Sequence, residues 1–583
     1  MTESLAVRRP PAPEPIRSVR RPSRIALLLL LGWAAQVVVR LVLAAGRAHP
    51  NLYPDESGYL IAARWMTGGT GTDYSGFTLY QGGYPLLLTP AYLLGDDPET
   101  VYRACLAINA LIGAAVFPLG YAMLRRWGVR RVPAFPLAWA AALVPATSMF
   151  SGEVMADVLL PVLVLGWFVA LDRFLLRRDA PSGALAALAA CYAYATHSRG
   201  LVVVLVHALV LLACLVPRGR RRPALVSLAV TAAGGAGAVA LNSVVAENLY
   251  PYGARDLGSH VVNRLTSVDG LGWTVSGAVG QMWAALAGTW GLGAVGLVAV
   301  VAVAARRGAS RHRRRMAVLL LVVTAGVTCA SSAALPDEQR VGNFAYSRYP
   351  ACLILIYLLA GLAVLVRGRS AGRAALAAAG VVAAGGLWVR VWGGSRLGVY
   401  PFYTSDLPEV GLLGLNFTEL RPEVPSAVVG ALLALWWALN RWGALKLFTV
   451  LLLVNLAATW LIITLRSLGR DEPPSVPGGP GTAVAIERPV PGTDRPKPRD
   501  IAPELELIYA RAAYGIWWTR LERFDRDAGL PRPGICAAIV TWPAGILAAD
   551  SWPQRPAGWR WRGGESSGIW WIVWYDPNCV RSR

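Results

Sequence analysis

The sequence predicts an all-α polytopic membrane protein of about thirteen transmembrane helices carrying a small α+β domain at its C-terminal end. Three observations lead there. Over 583 residues the chain is 55% hydrophobic and 15% charged, with a mean hydropathy of +0.46, too apolar for a string of soluble domains. Apolar stretches recur from residue 25 to residue 465, and clusters of Arg fall in every second connection between them. The net charge of +22 is nearly all Arg, with Lys only at Lys446 and Lys497. Its placement between apolar runs accounts for it without a nucleic-acid partner.

In chain order, residues 1–24 form a basic, Pro-rich N-terminus without a small-residue cleavage site after the first apolar run, so that run is read as a retained anchor. Spans are expected at 25–45, 102–124, 133–150, 154–176, 184–196, 201–216, 224–240, 288–305, 316–333, 349–366, 374–391, 424–439 and 444–465. The Arg clusters at 125–131, 173–178, 218–222, 306–315 and 367–373, and Arg441 with Lys446, lie on the side of the basic N-terminus. That side is the cytoplasm, so the topology is N-in/C-out, as a multi-pass protein of a plasma (inner) membrane.

The outer face then receives 46–101, 151–153, 196–200, 242–287, 334–348, 392–423 and the tail. In the first loop, Ser57 to Met66 and Tyr84 to Leu94 read as helices lying along the membrane surface, with Tyr53, Tyr59, Trp65, Tyr80, Tyr84 and Tyr92 as interfacial anchors. The transmembrane domain spans 25–466. Residues 467–502 are dense in Pro and Gly and read as a linker, and 503–583 as an extracytoplasmic domain with a helix at Glu504 to Arg526 and strands at Ile535 to Trp542 and Ile569 to Tyr575. Five cysteines sit in apolar helices. Cys536 and Cys579 lie in the tail, where an external position is compatible with a disulfide.

The chemistry-bearing residues cluster on the outer side. Asp55 and Glu56 are adjacent carboxylates just after the first span, and acids there are costly beside lipid unless they face a polar cavity or a partner. Glu153 and Asp157, four apart, are expected on one helix face. Arg64, Arg199 and Arg348 supply cations. A structural ion-pair network would use the same residues. The functional alternative is group transfer from an anionic lipid carrier, with guanidinium gripping phosphate and carboxylate taking a proton from an attacking hydroxyl. His49, His197 and His260 are scattered and make a poor metal site, and the cytoplasmic side shows no Gly-rich phosphate loop.

Four short motifs carry a resemblance over residues 25–366: Tyr53-Pro-Asp-Glu-Ser-Gly-Tyr59, Gly82-Gly-Tyr-Pro-Leu86, Ser151-Gly-Glu-Val-Met-Ala-Asp157 and Ala345-Tyr-Ser-Arg-Tyr-Pro350. In order and sidedness they resemble the GT-C superfamily of membrane glycosyltransferases, most closely the branch of protein O-mannosyltransferases and the lipid A aminoarabinose transferase. The resemblance implies an inverting transfer of sugar from a polyprenyl-phosphate donor to an external hydroxyl on an envelope glycan, lipid or protein. It implies Asp55 as general base, Glu56 as its orienter or an acceptor contact, and Asp157 as a second acid of the cavity. Arg348 and Arg199 would hold phosphate, with Tyr349, Tyr346, Tyr59, Arg64 and Glu153 lining the substrate site. No cofactor is expected, although a divalent metal on Asp55 and Asp157 is compatible with the superfamily. A transporter or lipid-linked-sugar flippase is the alternative, but it would call for internal repeats and mid-membrane charges. A non-catalytic scaffold whose tail binds glycan is a third reading.

Overall fold

A computed structural model describes residues 24–95, 97–216, 221–368, 370–465, 476–477, 482–487, 521–542, 545–566 and 569–581. Each of the thirteen predicted apolar segments contains helix, although those at 133–150 and 154–176 are not helical throughout. Among the described residues, eight helices are long and apolar enough to cross a bilayer, nine if one bent pair counts as a span, and Gly200–Leu215, Leu292–Ala305 and Ala351–Arg367 are shorter apolar helices. The count of thirteen therefore stands as an expectation, while the multi-span helical body is what the structure shows.

The first helix, α1 (Arg24–Ala44), is followed by α2 (Asp55–Met66) and α3 (Gly83–Leu88) in the first loop. Next come α4 (Pro98–Ala114), α5 (Val116–Arg126), α6 (Arg131–Ala141) and α7 (Pro145–Ser148). The chain bends by 64° between α6 and the segment Pro145–Gly152. A bend in a buried segment leaves carbonyls without helical partners, and Arg40 of α1, fully buried, meets them. Its guanidinium donates to the Ala142 carbonyl at 2.6 Å, the Thr147 carbonyl at 3.2 Å and Ser151 Oγ at 2.6 Å.

After the bend, residues 153–158 are not helical, and α8 runs only from Leu159 to Arg177. The expected shared helix face for Glu153 and Asp157 is thus absent: Glu153 is extended (φ −140°, ψ 143°). Then follow α9 (Ala180–Thr196), α10 (Gly200–Leu215), α11 (Arg221–Leu249), α12 (Leu257–Leu265), α13 (Val268–Ala287), α14 (Leu292–Ala305), α15 (Arg311–Ala334) and α16 (Ala351–Arg367). The body closes with α17 (Ala371–Gly393), α18 (Arg396–Val399), α19 (Pro408–Gly414), α20 (Glu423–Arg441) and α21 (Ala444–Leu465).

Residues 242–287, read from the sequence as a connection, contain the end of α11, α12 and the whole of α13, which packs against α15 and α17. The packing is close because Gly280 leaves room: a Cβ there would stand 1.8 Å from the Phe344 carbonyl oxygen. Small residues permit such backbone approach between helices.

The body has two chemically distinct ends. Asp157 precedes α8 and Arg348 precedes α16, so both lie at one end. Towards the far end of α8, the Asp172 carboxylate meets Arg126 at the end of α5 and His312 at the start of α15, and at the far end of α16 Arg367 donates to the Trp127 carbonyl at 2.9 Å. The basic connections at 125–131, 173–178, 306–315 and 367 therefore gather opposite the acidic residues.

The tail forms a five-stranded sheet in the order β2-β1-β3-β5-β4, from β1 (Val484–Glu487), β2 (Leu521–Phe524), β3 (Ala537–Thr541), β4 (Arg560–Ser566) and β5 (Ile569–Tyr575). β1 pairs in parallel with β2 and β3, and β5 is antiparallel to β3 and β4. Strand alternation separates the two faces. Trp571 and Val573 join Tyr74, Phe77 and Tyr80 of the first loop, while Ile572 and Trp574 enter a second core with Phe524 and Trp552. Two expectations change. β1 falls inside the stretch read as linker, its Val-Ala-Ile core buried between β2 and β3. Residues 521–524 of the expected helix are a strand, 525–526 are not helical, and 504–520 lie outside the described residues. Cys536 and Cys579 are disulfide-bonded.

Candidate active site

The helix α2 begins at Asp55, so the two neighbouring carboxylates leave its first turn in different directions. Glu56 points inward and is fully buried. Its Oε1 accepts from the backbone N–H of Asn51 at 2.7 Å and Leu52 at 2.8 Å; its Oε2 accepts from Tyr102 Oη and the Val154 N–H, both at 2.7 Å. Four donors consume the carboxylate. Glu56 thereby ties α2 to the stretch at Val154.

Asp55 is the outward member, its side chain 29% exposed. It accepts from Tyr80 Oη at 2.8 Å and from Arg348 Nη1 at 2.6 Å. Arg348 also reaches Asp157, with Nε at 3.0 Å and Nη2 at 2.9 Å from Oδ2. One guanidinium thus bridges two carboxylates from distant parts of the chain. Burial alone would raise the Asp157 carboxyl, but the Arg348 and Arg199 guanidiniums outweigh it and hold it well below the usual carboxylate range. Arg348 stays charged: burial acts against that, and Asp157 and Asp55 more than compensate.

Arg199, expected on phosphate, is buried and already engaged at each nitrogen. Nη2 meets Asp157 at 3.2 Å, Nη1 donates to the carbonyls of Arg348 and Tyr349 at 3.2 and 3.1 Å, and Nε donates to His197 Nδ1 at 3.3 Å. Its contribution is to fix the Arg348 backbone. His197 suits this as a neutral acceptor, since burial and then Arg199 push its protonation well below the ordinary histidine range. Arg64 is also buried, with Nε donating to the Thr70 carbonyl in the turn after its own helix.

Aromatic rings frame the cluster. Tyr346 and Tyr349 stack at 4.3 Å, with Arg340 over Tyr346 and Arg199 over Tyr349 at 5.2 and 5.1 Å. Tyr59 packs edge-on against Tyr80 and Tyr84, both at 5.1 Å, and burial, then Asp157 and Asp55, keep it a phenol. The tyrosines expected at the membrane interface are largely inside. Tyr80, Tyr84 and Tyr92 are buried because each hydroxyl has a partner, respectively Asp55, Asn109 and the Leu60 carbonyl. Glu153 is buried beside this network, its carbonyl accepting from Asn109 Nδ2 at 2.7 Å.

Behind Arg348, the Asp406 carbonyl accepts from the Ser347 N–H and Oγ at 3.1 and 3.2 Å, and the Asp406 carboxylate meets Arg340 at 3.2 Å. Tyr80, His197 and Asp406 are the parts of the site that the motifs did not identify. Tyr80 was legible only as an aromatic, His197 as part of a polar turn, and Asp406 lay in a loop without pattern.

A divalent ion does not fit the donor set as arranged. Asp55 and Asp157 both grip Arg348, and among the described residues no group of three or more His, Cys, Asp or Glu side chains converges on a metal position.

No family model and no curated protein matches the sequence. Solved structures do match in fold. ArnT from Cupriavidus metallidurans in the apo state is 17% identical, with a TM-score of 0.53 over 96% of this chain and 99% of that one. The same enzyme bound to undecaprenyl phosphate is 14% identical, with a TM-score of 0.51 over 95% and 98%. The chain therefore shares the overall fold of ArnT along nearly its whole length.

Proposed function

We propose that the protein is an integral membrane glycosyltransferase that moves a sugar from a polyprenyl-phosphate donor to a hydroxyl acceptor, on the extracytoplasmic side of a plasma membrane. The observation that carries this reading is the bridge of Arg348 between the partly exposed Asp55 and the buried Asp157. The fold shared with a protein captured on undecaprenyl phosphate supports a lipid-phosphate donor.

The chemistry follows from what each group can exchange. A donor phosphate competes with Asp55 for Arg348, because guanidinium binds phosphate in the same forked geometry as carboxylate. Asp157, held by Arg199 as well, keeps its share of Arg348 and fixes the fork. Asp55, released from its cation but still held by Tyr80, becomes the stronger base. The acceptor hydroxyl gives its proton to Asp55 as its oxygen bonds to the anomeric carbon. The bond from that carbon to the phosphate oxygen breaks, its electron pair leaves with the phosphate, and Arg348 stabilises the charge. A single displacement inverts the anomeric centre.

The test is transfer from a synthetic polyprenyl-phosphate sugar by the purified protein in lipid, followed by product stereochemistry. Turnover that survives Asp55→Asn would overturn the assignment of the base. Absence of transfer across a panel of lipid-phosphate sugars and acceptors would overturn the donor class.

A further inference from the structure

At the basic end of the body, a cavity of about 660 Å³ opens among α5, α8, α14, α15 and α16. Its inner wall is apolar, with Phe168, Met316, Leu320, Ala360 and Val364. Its mouth carries four guanidiniums, Arg126, Arg177, Arg313 and Arg367, against a single carboxylate, Asp172. That carboxylate is only 14% exposed and is used on both oxygens: one bonds Arg126 Nε, the other His312 Nε2 at 2.7 Å. Asp172 thereby orients Arg126 by its Nε edge and leaves the terminal nitrogens for another partner. Arg177 and Arg313 are exposed at the rim.

An apolar slot within the helical body, ending in a cationic mouth at the membrane boundary, matches an amphiphile with an anionic head and a hydrocarbon chain. A soluble anion would use only the mouth. We propose that this cavity binds an anionic phospholipid of the leaflet on the basic side, phosphate between Arg126, Arg177 and Arg313 and one acyl chain along Met316 and Leu320. The site is separate from the Asp55 cluster, since the two lie at opposite ends of α8 and α16, so the proposal stands whatever the donor.

The experiment is native mass spectrometry of the full-length protein, released from nanodiscs containing phosphatidylglycerol and phosphatidylcholine of identical acyl chains. Preferential retention of phosphatidylglycerol is expected, weakened roughly fivefold for each guanidinium neutralised in Arg177→Gln and Arg313→Gln. Both side chains are exposed, so these variants should fold. A second variant, Ala317→Trp, fills the slot and should reduce retention without touching the cations. Equal retention of the two lipids, indifference to the arginine variants, or an unchanged level in Ala317→Trp would each overturn the proposal. So would displacement by inorganic phosphate as effective as that by short-chain phosphatidylglycerol.

Discussion

Asp55 and Glu56 are chemically alike and adjacent, yet the fold gives them separate work, and substitution should separate their effects. Asp55→Asn keeps the shape of a partly exposed side chain and is expected to lower turnover roughly a hundredfold or more. Glu56→Gln places an amide NH2 among four hydrogen-bond donors, so at least one buried N–H or O–H loses its acceptor. The expected cost is about 3 kcal/mol of stability, read as a fall in melting temperature before any effect on the donor KM. Arg348→Lys retains charge but cannot span two carboxylates with a planar fork; the donor KM should rise by about tenfold. The acidic pair was legible as a pair from its place after the first span. Which acid stays partly exposed and meets Arg348 was not, because that depends on the Val154 amide and Tyr102, which the chain brings back from far downstream.

Among elements, the loop before α16 depends on the segment around Asp406 for the position of Arg348. Burial, against the pull of Arg340, raises the Asp406 carboxyl from 3.8 to about 6. The folded state therefore holds this proton more tightly than the unfolded chain does. The stabilisation is complete below about pH 4 and is lost as pH rises through about 6. Asp406→Asn should flatten that part of the profile of melting temperature against pH, and an unaltered slope would locate the dependence elsewhere. This loop offered no periodicity to read. α13 escaped for a related reason: its Gly, Ser and Thr content lowers hydropathy while serving close helix contacts, so a hydropathy window treats as loop what packs as a helix. The long spans were legible because Leu, Val and Ala runs must be buried in lipid or protein whatever their neighbours.

Over the whole molecule, the C-terminal sheet is coupled to the site by the first loop. One face packs on Tyr74, Phe77 and Tyr80, Arg523 Nη2 of β2 donates to the Ser75 carbonyl at 3.3 Å, and Tyr80 holds Asp55. The disulfide closes a separation of 43 residues within this domain, a constraint worth about 4 kcal/mol in chain entropy. Cys536→Ser should therefore lower the domain's resistance to proteolysis and, through the first loop, slow transfer. Proteolysis and rate that both match the parent protein would show that the sheet is held by packing alone. The two strands richest in β-branched and aromatic residues could be read in advance. β1 could not, because Pro and Gly on both sides disguise a four-residue strand as linker.

The bridge at Arg348 also sets an order of events during synthesis. Its two ends, Asp55 and Arg348, are separated by 293 positions, so at ordinary elongation speeds the ribosome needs roughly half a minute to make the second after the first. Throughout that interval Asp55 lacks its counter-charge, whereas Asp157 meets Arg199 sooner. No product that stops short of α16 can assemble a working centre, which means that a cell never has to contend with a half-made but active copy.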